Sequence, residues 1–593
     1  MCGIFGFVGF NDSKLLRVMS KAMLHRGPDQ QGFFYKNGLG LGMNRLSIID
    51  TSKIELPIAN EDKSLLLVFN GEIYNYKEIR KELLNKGHRF ATRTDAEVLV
   101  HLYEERSYEM LDMLNGMFAF AILDLKQGKL FLARDRLGIK PLFYYYEQGK
   151  LLFASEINGL LATKLVKPKP NLESIDRFIT FRYNSSQQTL FEGINRLEPA
   201  TYGVFKDDNL ELRKYWRIKP KPPQKALKEL NLLLKDSIKL RLQSDVKVGI
   251  FLSGGLDSST VAYYVSRLGC MLTSFSMNFK ENKKAELMVG KLGLKHHSFK
   301  LSSSCLQLLP KLIKHLGEPL ADPIIIPTYL LAKEAKKYCT VLLTGEGADE
   351  IFGGYEQYKI MLLFWYHKQH TPKFIQSSLQ TLLNLPFMPK NLADFHRQQD
   401  AGLAYTTLIS CFSESERGEL YSMPLKSKLK PNFLLDESLL YNMQFYDVQH
   451  FLTADNLYRL DMMLMAHSME GRVPFLDHRI VELAFGLPDE MRRNKAILRK
   501  LMQGRLPSRI VNAKKERWIL PTDKIFPYDE FKKLYSNKEL QKYFNMQHIV
   551  KLLNYKQSFQ HKLFSFNRLT RLYYSRQLWN LLCFGLWYKQ FIK

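Results

Sequence analysis

Gly249-Ile250-Phe251-Leu252-Ser253-Gly254-Gly255-Leu256-Asp257-Ser258-Ser259 is a short apolar run, a serine–glycine turn and the start of a helical pattern. The run reads as a strand buried on both faces. Glycines let the turn backbone approach an anion closely. The helix start beyond it offers free amides and the positive end of a dipole. The loop lacks the GxxxxGKS spacing of a Walker turn, and by itself it also fits a plain tight turn. Working outward, β-type runs recur at MLTSFSM (Met271–Met277) and TVLLTG (Thr340–Gly345), with helical stretches such as ALKELNLLLKDSIKLRL (Ala226–Leu242) between them. This alternation predicts an α/β doubly wound parallel sheet with ligand loops at its carboxyl edge. From about Tyr355 to Arg505 the pattern is mainly helical.

Upstream the pattern changes. LLLVFNG (Leu65–Gly71), MFAFAILDL (Met117–Leu125), KLFLARD (Lys129–Asp135) and KLLFASE (Lys150–Glu156) are short strand-like runs with a few amphipathic helices between them. They predict an N-terminal α+β layered domain. The Pro- and Lys-rich IKPKPPQK (Ile218–Lys225) reads as a linker. The expected division is a first domain over 2–215, a linker over 216–225, a second domain over 226–530 and a basic helical C-terminal extension over 531–593.

The whole chain is consistent with this plan. Its 593 residues allow about two to four domains. Hydrophobic content of 46% and charged content of 24% are ordinary globular values, so no large part is expected to be disordered. The net charge of +27 attracts anions without choosing among nucleotides, nucleic acid and acidic membranes. From Leu540 to Lys593 there is no acidic residue, while Phe564, Phe566, Tyr573, Tyr574, Trp579 and Trp587 accompany the basic ones. That tail reads as helical with a solvated basic face, or as a surface for peripheral membrane contact. Six cysteines make no disulfide scaffold, and they show no CxxC pair or Cys/His zinc spacing. Cys270, Cys305, Cys339, Cys411 and Cys583 read as small buried hydrophobes. No apolar run reaches membrane-spanning length. The start MCGIFGFVGF lacks the basic region of a signal peptide. A cytoplasmic location is expected.

Cys2 is chemically special. If Met1 is removed, it carries both a thiol and an α-amine, whose pKa of roughly 7.7 to 8.0 suits a base near neutrality. One residue then holds nucleophile and base for attack on a carboxamide. Around it run Cys2-Gly3-Ile4-Phe5-Gly6, His25-Arg26-Gly27-Pro28-Asp29, Arg45-Leu46-Ser47-Ile48, Asn70-Gly71-Glu72-Ile73-Tyr74-Asn75, Thr94-Asp95-Ala96-Glu97 and Ala133-Arg134-Asp135-Arg136. The series closely resembles the glutaminase domain of class II glutamine amidotransferases, which are Ntn-hydrolase-like. The resemblance implies that Cys2 is the nucleophile and that Asn70 and Gly71 form the oxyanion hole. It implies a glutamine site of Arg45, Leu46, Ser47, Ile48, Ile49, Asn70, Gly71, Glu72 and Asp95. Arg45 would take the α-carboxylate and Asp95 the α-ammonium. Arg26 and Asn75 would support the loops.

The second half resembles the ATP pyrophosphatases, and in particular the asparagine synthetase family. The signs are Ser253-Gly254-Gly255-Leu256-Asp257-Ser258, Leu343-Thr344-Gly345-Glu346-Gly347-Ala348-Asp349-Glu350, Phe352-Gly353-Gly354-Tyr355 and Glu470-Gly471-Arg472-Val473-Pro474-Phe475-Leu476-Asp477. The resemblance implies an ATP site of Leu252, Ser253, Gly254, Gly255, Asp257, Ser258, Met277, Thr344, Gly345 and Lys515. Asp257 and Asp349 would share Mg²⁺, which favours one or two carboxylates with phosphate oxygens. Glu346 would stand at the acyl-adenylate as a catalytic residue. Glutamine, ATP and a carboxylate acceptor are the implied substrates, with aspartate the leading acceptor, and a homodimer is implied. No nucleic-acid partner is expected. Two departures bear on the acceptor. Pro323 stands where some family members carry arginine, and the stretch between Met277 and Leu294 is short. A uronic acid is therefore the alternative acceptor, and a non-catalytic, membrane- or partner-binding relative is the alternative of another class.

Overall fold

The computed structural model describes residues 2–592 except 279–281, 386, 387, 389, 424–430, 432, 435, 516–525 and 559–564; the side chains of 278, 303, 555–558 and 565–571 are also outside the description. The 279–281 portion of the shortened stretch and the rings of Phe564 and Phe566 therefore lie outside it.

The N-terminal unit stacks two six-stranded antiparallel sheets. Alternation sets the layers. Along Leu65–Ile73, Leu66 and Val68 point to the space between the sheets, while Leu65, Leu67 and Phe69 point outward. Its neighbour Gly116–Asp124 repeats the rule with small Ala119 and Ala121 inward and large Phe118 and Phe120 outward. Cys2 and Ile4 enter the inter-sheet layer from Cys2–Val8, the strand beside Leu39–Arg45. Helices Tyr76–Asn85 and Val98–Arg106 cover one outer face with Ile79, Leu83, Leu99 and Leu102. Helix Lys14–Ala22 covers the other with Leu15, Leu16 and Met19. The result is a helix–sheet–sheet–helix sandwich, the layered α+β domain expected.

The second unit holds a five-stranded parallel sheet in the order His296–Lys300, Thr273–Asn278, Val248–Phe251, Val341–Leu343, Glu470–Arg472. In chain order this is 3-2-1-4-5, so the winding reverses between Val248–Phe251 and Val341–Leu343. Ligand crevices of doubly wound sheets form at such a switch point. The strand ends there deliver Ser253–Gly255 and Thr344–Glu346 side by side.

The linker is anchored. Lys221 and Trp216 both bond Glu482 on the helix His478–Phe485. Gly486 permits this, because a Cβ there would meet the Lys221 carbonyl at 2.3 Å.

The C-terminal helix Ser565–Phe591 is largely buried along its described part, with Lys589 exposed. Leu578, Trp579, Leu582, Phe584 and Trp587 are buried with Leu309 and Leu312 of the second unit and Phe178 and Ile179 of the first. Asn580 donates to the Ile179 carbonyl at 2.7 Å, and the Trp587 indole donates to Gly317 at 3.0 Å. Of the tail's described aromatics, Tyr574, Trp579 and Trp587 are core and Tyr573 is half-buried. Cys305, Cys339, Cys411 and Cys583 are buried as expected, and Cys270 is half-buried. No helix among the described residues is long and apolar enough to cross a membrane.

Candidate active sites

Cys2 begins the inner strand and is 5% exposed. Its backbone nitrogen donates to Asn70 Oδ1 at 3.1 Å. The other end of that amide, Asn70 Nδ2, is buried with no hydrogen-bond partner. A buried unpaired donor costs free energy, and a developing oxyanion would supply its acceptor. Gly71 follows with no room for a side chain, since a Cβ would meet the Met117 carbonyl at 2.1 Å. Burial pushes the Cys2 thiol up, while the Leu46 amide and the nearby Arg45 charge pull it down. Cys2, the Asn70 amide, Gly71 and Arg45 are thus brought together.

Arg45 is committed elsewhere at present. Its guanidinium bonds the carbonyls of Ser52 at 2.8 Å and Ile49 at 3.3 Å, and that of Asp50. It clasps the 46–52 loop, and a bound carboxylate would have to exchange for some of these carbonyls. The Ser47 amide is held by Asp29 at 2.8 Å. The side chains of Leu46, Ile48 and Ile49, expected at glutamine, are buried in a core cluster built mainly by the C-terminal unit. The Ile48 carbonyl is already taken by the Asp245 amide at 2.9 Å. Asp95 accepts the Ile73 amide at 2.8 Å and is pushed up to about 6, chiefly by burial.

The two units meet through buried charge. Glu72, next to the oxyanion pair, is 3.3 Å from Arg472, which also grips Glu470. Burial, then Asp95 and Glu470, raise the Glu72 carboxyl. Arg472 ends the last strand of the parallel sheet, and its carbonyl receives the Thr344 amide at 2.9 Å. Arg26, expected to support loops, pairs with Glu156 of its own unit at 3.0 Å and crosses the interface to Asp461 at 2.8 Å. Asn75 braces the 113–115 turn, donating to Met113 and accepting from the Asn115 amide.

At the switch point the two loops touch. A Cβ on Gly345 would meet the Ser258 nitrogen at 2.8 Å, and Gly254, with φ +75, lies against Lys284 and Ala285. The Ser253 and Ser258 hydroxyls bond each other at 2.9 Å at the start of helix Leu256–Arg267. Leu252, Met277 and Thr344 are buried around the loops. Asp257 and Asp349 converge on one ammonium: Lys495 Nζ lies 2.6 Å from Asp257 and 2.7 Å from Asp349. Lys515 joins Asp349 from the other side and stands 4.0 Å from Asp257. Burial would raise Asp349, but the two lysines outweigh it and hold the carboxyl down at about 2. Glu346 faces Arg459 at 3.3 Å.

Sequence reasoning missed Lys495 and Arg459. Lys495 sits in a left-handed turn with Asn494 (φ 58 and 55). Gly354 clears its path, since a Cβ there would meet Lys495 Cε and Asp349 Oδ1 at 2.2 Å. The Phe352-Gly353-Gly354-Tyr355 motif was the available signal, though it does not say which cation fills the space.

The donor set suits Mg²⁺, because two hard carboxylates already share one cation's position. Asp257 and Asp349 would hold the ion, which would neutralise phosphate charge, with Lys495 or Lys515 then free to face phosphate.

A nucleophile strand beside an oxyanion amide, joined to a phosphate-loop sheet, defines an ATP-using glutamine amidotransferase. The family model described as glutamine amidotransferase domain matches residues 1–216, and that described as asparagine synthase matches residues 229–589. The chain belongs to the glutamine-hydrolysing asparagine synthetase family. It is 34% identical over 554 residues to asparagine synthetase [glutamine-hydrolyzing] 1 of Bacillus subtilis, covering 88% of this chain and 87% of that one. It is 30% identical to a putative asparagine synthetase of Mycobacterium bovis over 100% of this chain and 98% of that one. Among solved structures, the allosteric regulatory enzyme of purine biosynthesis overlaps 50% of this chain and 80% of its own at 14% identity and a TM-score of 0.30, which adds nothing to the assignment.

Proposed function

We propose that the chain converts L-aspartate, L-glutamine and ATP into L-asparagine, L-glutamate, AMP and pyrophosphate. One observation carries this reading. A Cys2–Asn70 site and a cluster of two carboxylates and two lysines at a sheet switch point occupy one chain with a shared buried core.

In the proposed sequence, removal of Met1 makes Cys2 the first residue, and its amine takes the thiol proton. The thiolate attacks the glutamine carboxamide, and Asn70 Nδ2 with the Gly71 amide receives the oxyanion. Collapse releases ammonia, and water frees glutamate from the thioester. Separately, the aspartate side-chain carboxylate attacks the α-phosphorus of ATP and pyrophosphate leaves, its charge met by Lys495 and Lys515. Ammonia then displaces AMP from the acyl-adenylate beside Glu346. Internal passage keeps the ammonia from becoming ammonium in bulk water.

The charges around Glu346 support an amino acid as acceptor. Arg459 feels Glu346, Asp322 and Asp455 together. A buried cation ringed by carboxylates offers partners for both ends of a zwitterion, whereas a uronic acid has no ammonium. Arg459 is the cation proposed in place of the arginine that Pro323 lacks. The reading includes a homodimer, which sedimentation of the pure chain checks. The test of substrate is a panel of acids with Mg-ATP and glutamine, scored for AMP and pyrophosphate. Aspartate should give both in equal amounts. AMP formation with uronic acids and none with aspartate would reject the assignment.

A further inference from the structure

Away from both active sites, Glu61, His88, His101 and Glu104 each offer one ligand atom, and these atoms all lie within 4.8 Å of one another. They come from three segments: the turn before strand Leu65–Ile73, the loop after helix Tyr76–Asn85, and helix Val98–Arg106. His101 and Glu104, three apart, share a helix face.

Several features distinguish this cluster from a surface group of acids. His101 is 0% exposed, yet neither ring nitrogen makes a hydrogen bond. Its Nδ1 stands 3.3 Å from Glu61 and 3.6 Å from Glu104. His88 Nδ1 stands 3.4 Å from Glu61 and 3.8 Å from Glu104. Good hydrogen bonds to carboxylates run at about 2.7–2.9 Å. A tetrahedral ion with bonds of about 2.0–2.1 Å sets its ligands roughly 3.3 Å apart. The four separations, which reach Glu61 through its two different oxygens, are longer than such hydrogen bonds and closer to a tetrahedral edge.

The surroundings match a metal site as well. Metal-bound imidazoles usually present their second nitrogen to a carboxylate. His88 Nε2 lies 3.3 Å from Glu105, and His101 Nε2 lies 3.7 Å from Glu97. The ligating carboxylates are themselves oriented: Glu104 by the Asn60 amide at 2.9 Å, Glu61 by the Arg89 amide at 2.8 Å. Two imidazoles with two carboxylates select zinc-class ions over magnesium.

We infer that His88, His101, Glu61 and Glu104 form a structural site for a divalent transition metal of the zinc class. The ion would tie both ends of the segment from His88 to His101, which carries Asp95. It would hold Asp95 in register with Ile73 and the oxyanion loop without touching substrate. The protonated alternative, two imidazolium rings neutralising the acids, predicts no metal uptake.

The probe is Co²⁺ added to the tag-free, chelator-stripped full chain in excess Mg²⁺. One Co²⁺ per chain should bind with the intense visible absorption of four-coordinate cobalt, and Zn²⁺ should bleach it. His88→Gln should lose the band. Glu61→Gln/Glu104→Gln, which changes only solvent-accessible side chains, should lose it while keeping the circular dichroism of the folded chain. Zn²⁺ should raise the Tm of the stripped chain and not that of the variants. Absence of the band in the unsubstituted chain, a weak six-coordinate spectrum, or a band retained in both variants would overturn the site.

Discussion

The glutaminase site and the synthetase site handle charge in opposite ways. Around Cys2 the thiol and Asp95 are both pushed toward their neutral forms, and a buried amide donor waits unpaired. At the switch point every principal charge already has a partner: Asp257 and Asp349 are bridged by Lys495, and Asp349 by Lys515. The first arrangement suits a substrate that arrives neutral at the reacting carbonyl and becomes an oxyanion in transit. The second suits a polyanion that arrives fully charged, with lysines held on carboxylates until phosphate competes for them. Electrostatic preorganisation therefore takes two forms in one chain, an empty donor and an exchangeable cation.

The contrast can be broken from the synthetase side with the largest effect. Lys495→Met should lower AMP formation with either glutamine or ammonia by on the order of 10³-fold, since it removes one donor and leaves two carboxylates facing each other. Glutaminase turnover should persist; if it fell equally, Lys495 would be a folding residue. Asn70→Ala should cost glutamine hydrolysis about 10²-fold in kcat, with ammonia-dependent synthesis intact. An unchanged kcat would remove Asn70 from the oxyanion hole.

The pH dependence sharpens the comparison. Asp95 must be ionised to hold an ammonium, and burial raises it to about 6. Glutaminase kcat/KM should therefore fall as pH drops through about 6, and Asp95→Asn should abolish binding at all pH values. Asp349, held down at about 2, should give synthetase turnover no acid limb of its own in that range. A shared acid limb in single-site assays would contradict the contrast. The smallest effect concerns stability. Burial and then Asp349 raise Glu350 to about 8. Its folded value exceeds its unfolded value of about 4.3, so its contribution is full below that and is lost as pH rises to about 8. Glu350→Gln should flatten this decline in a urea-midpoint series against pH, and a parallel series would reject it.

Much of this was legible in the sequence for local reasons. The glycine turn after Gly249–Leu252 and the alternation in Leu65–Ile73 carry their own geometry, so both folds and most motif residues could be placed. Partners supplied from far along the chain could not. Lys495 reaches Asp257 across 238 positions. Arg472 crosses to Glu72 from a three-residue strand, Glu470–Arg472, whose polar residues are all buried against strand pattern. The helical tail was legible, but residues spaced along a helix reveal a face and not what covers it. Here core from both units covers the described part. His88 and His101 escaped a search keyed to cysteine spacing.

The central claim is that Cys2 serves only nitrogen delivery, while acid activation belongs to the other unit. The direct measurement is asparagine formation by Cys2→Ala with glutamine or with ammonium chloride as nitrogen source. The account predicts no product from glutamine and near-normal product from ammonium. Loss of both activities in a folded variant, or retention of glutamine use, would contradict it.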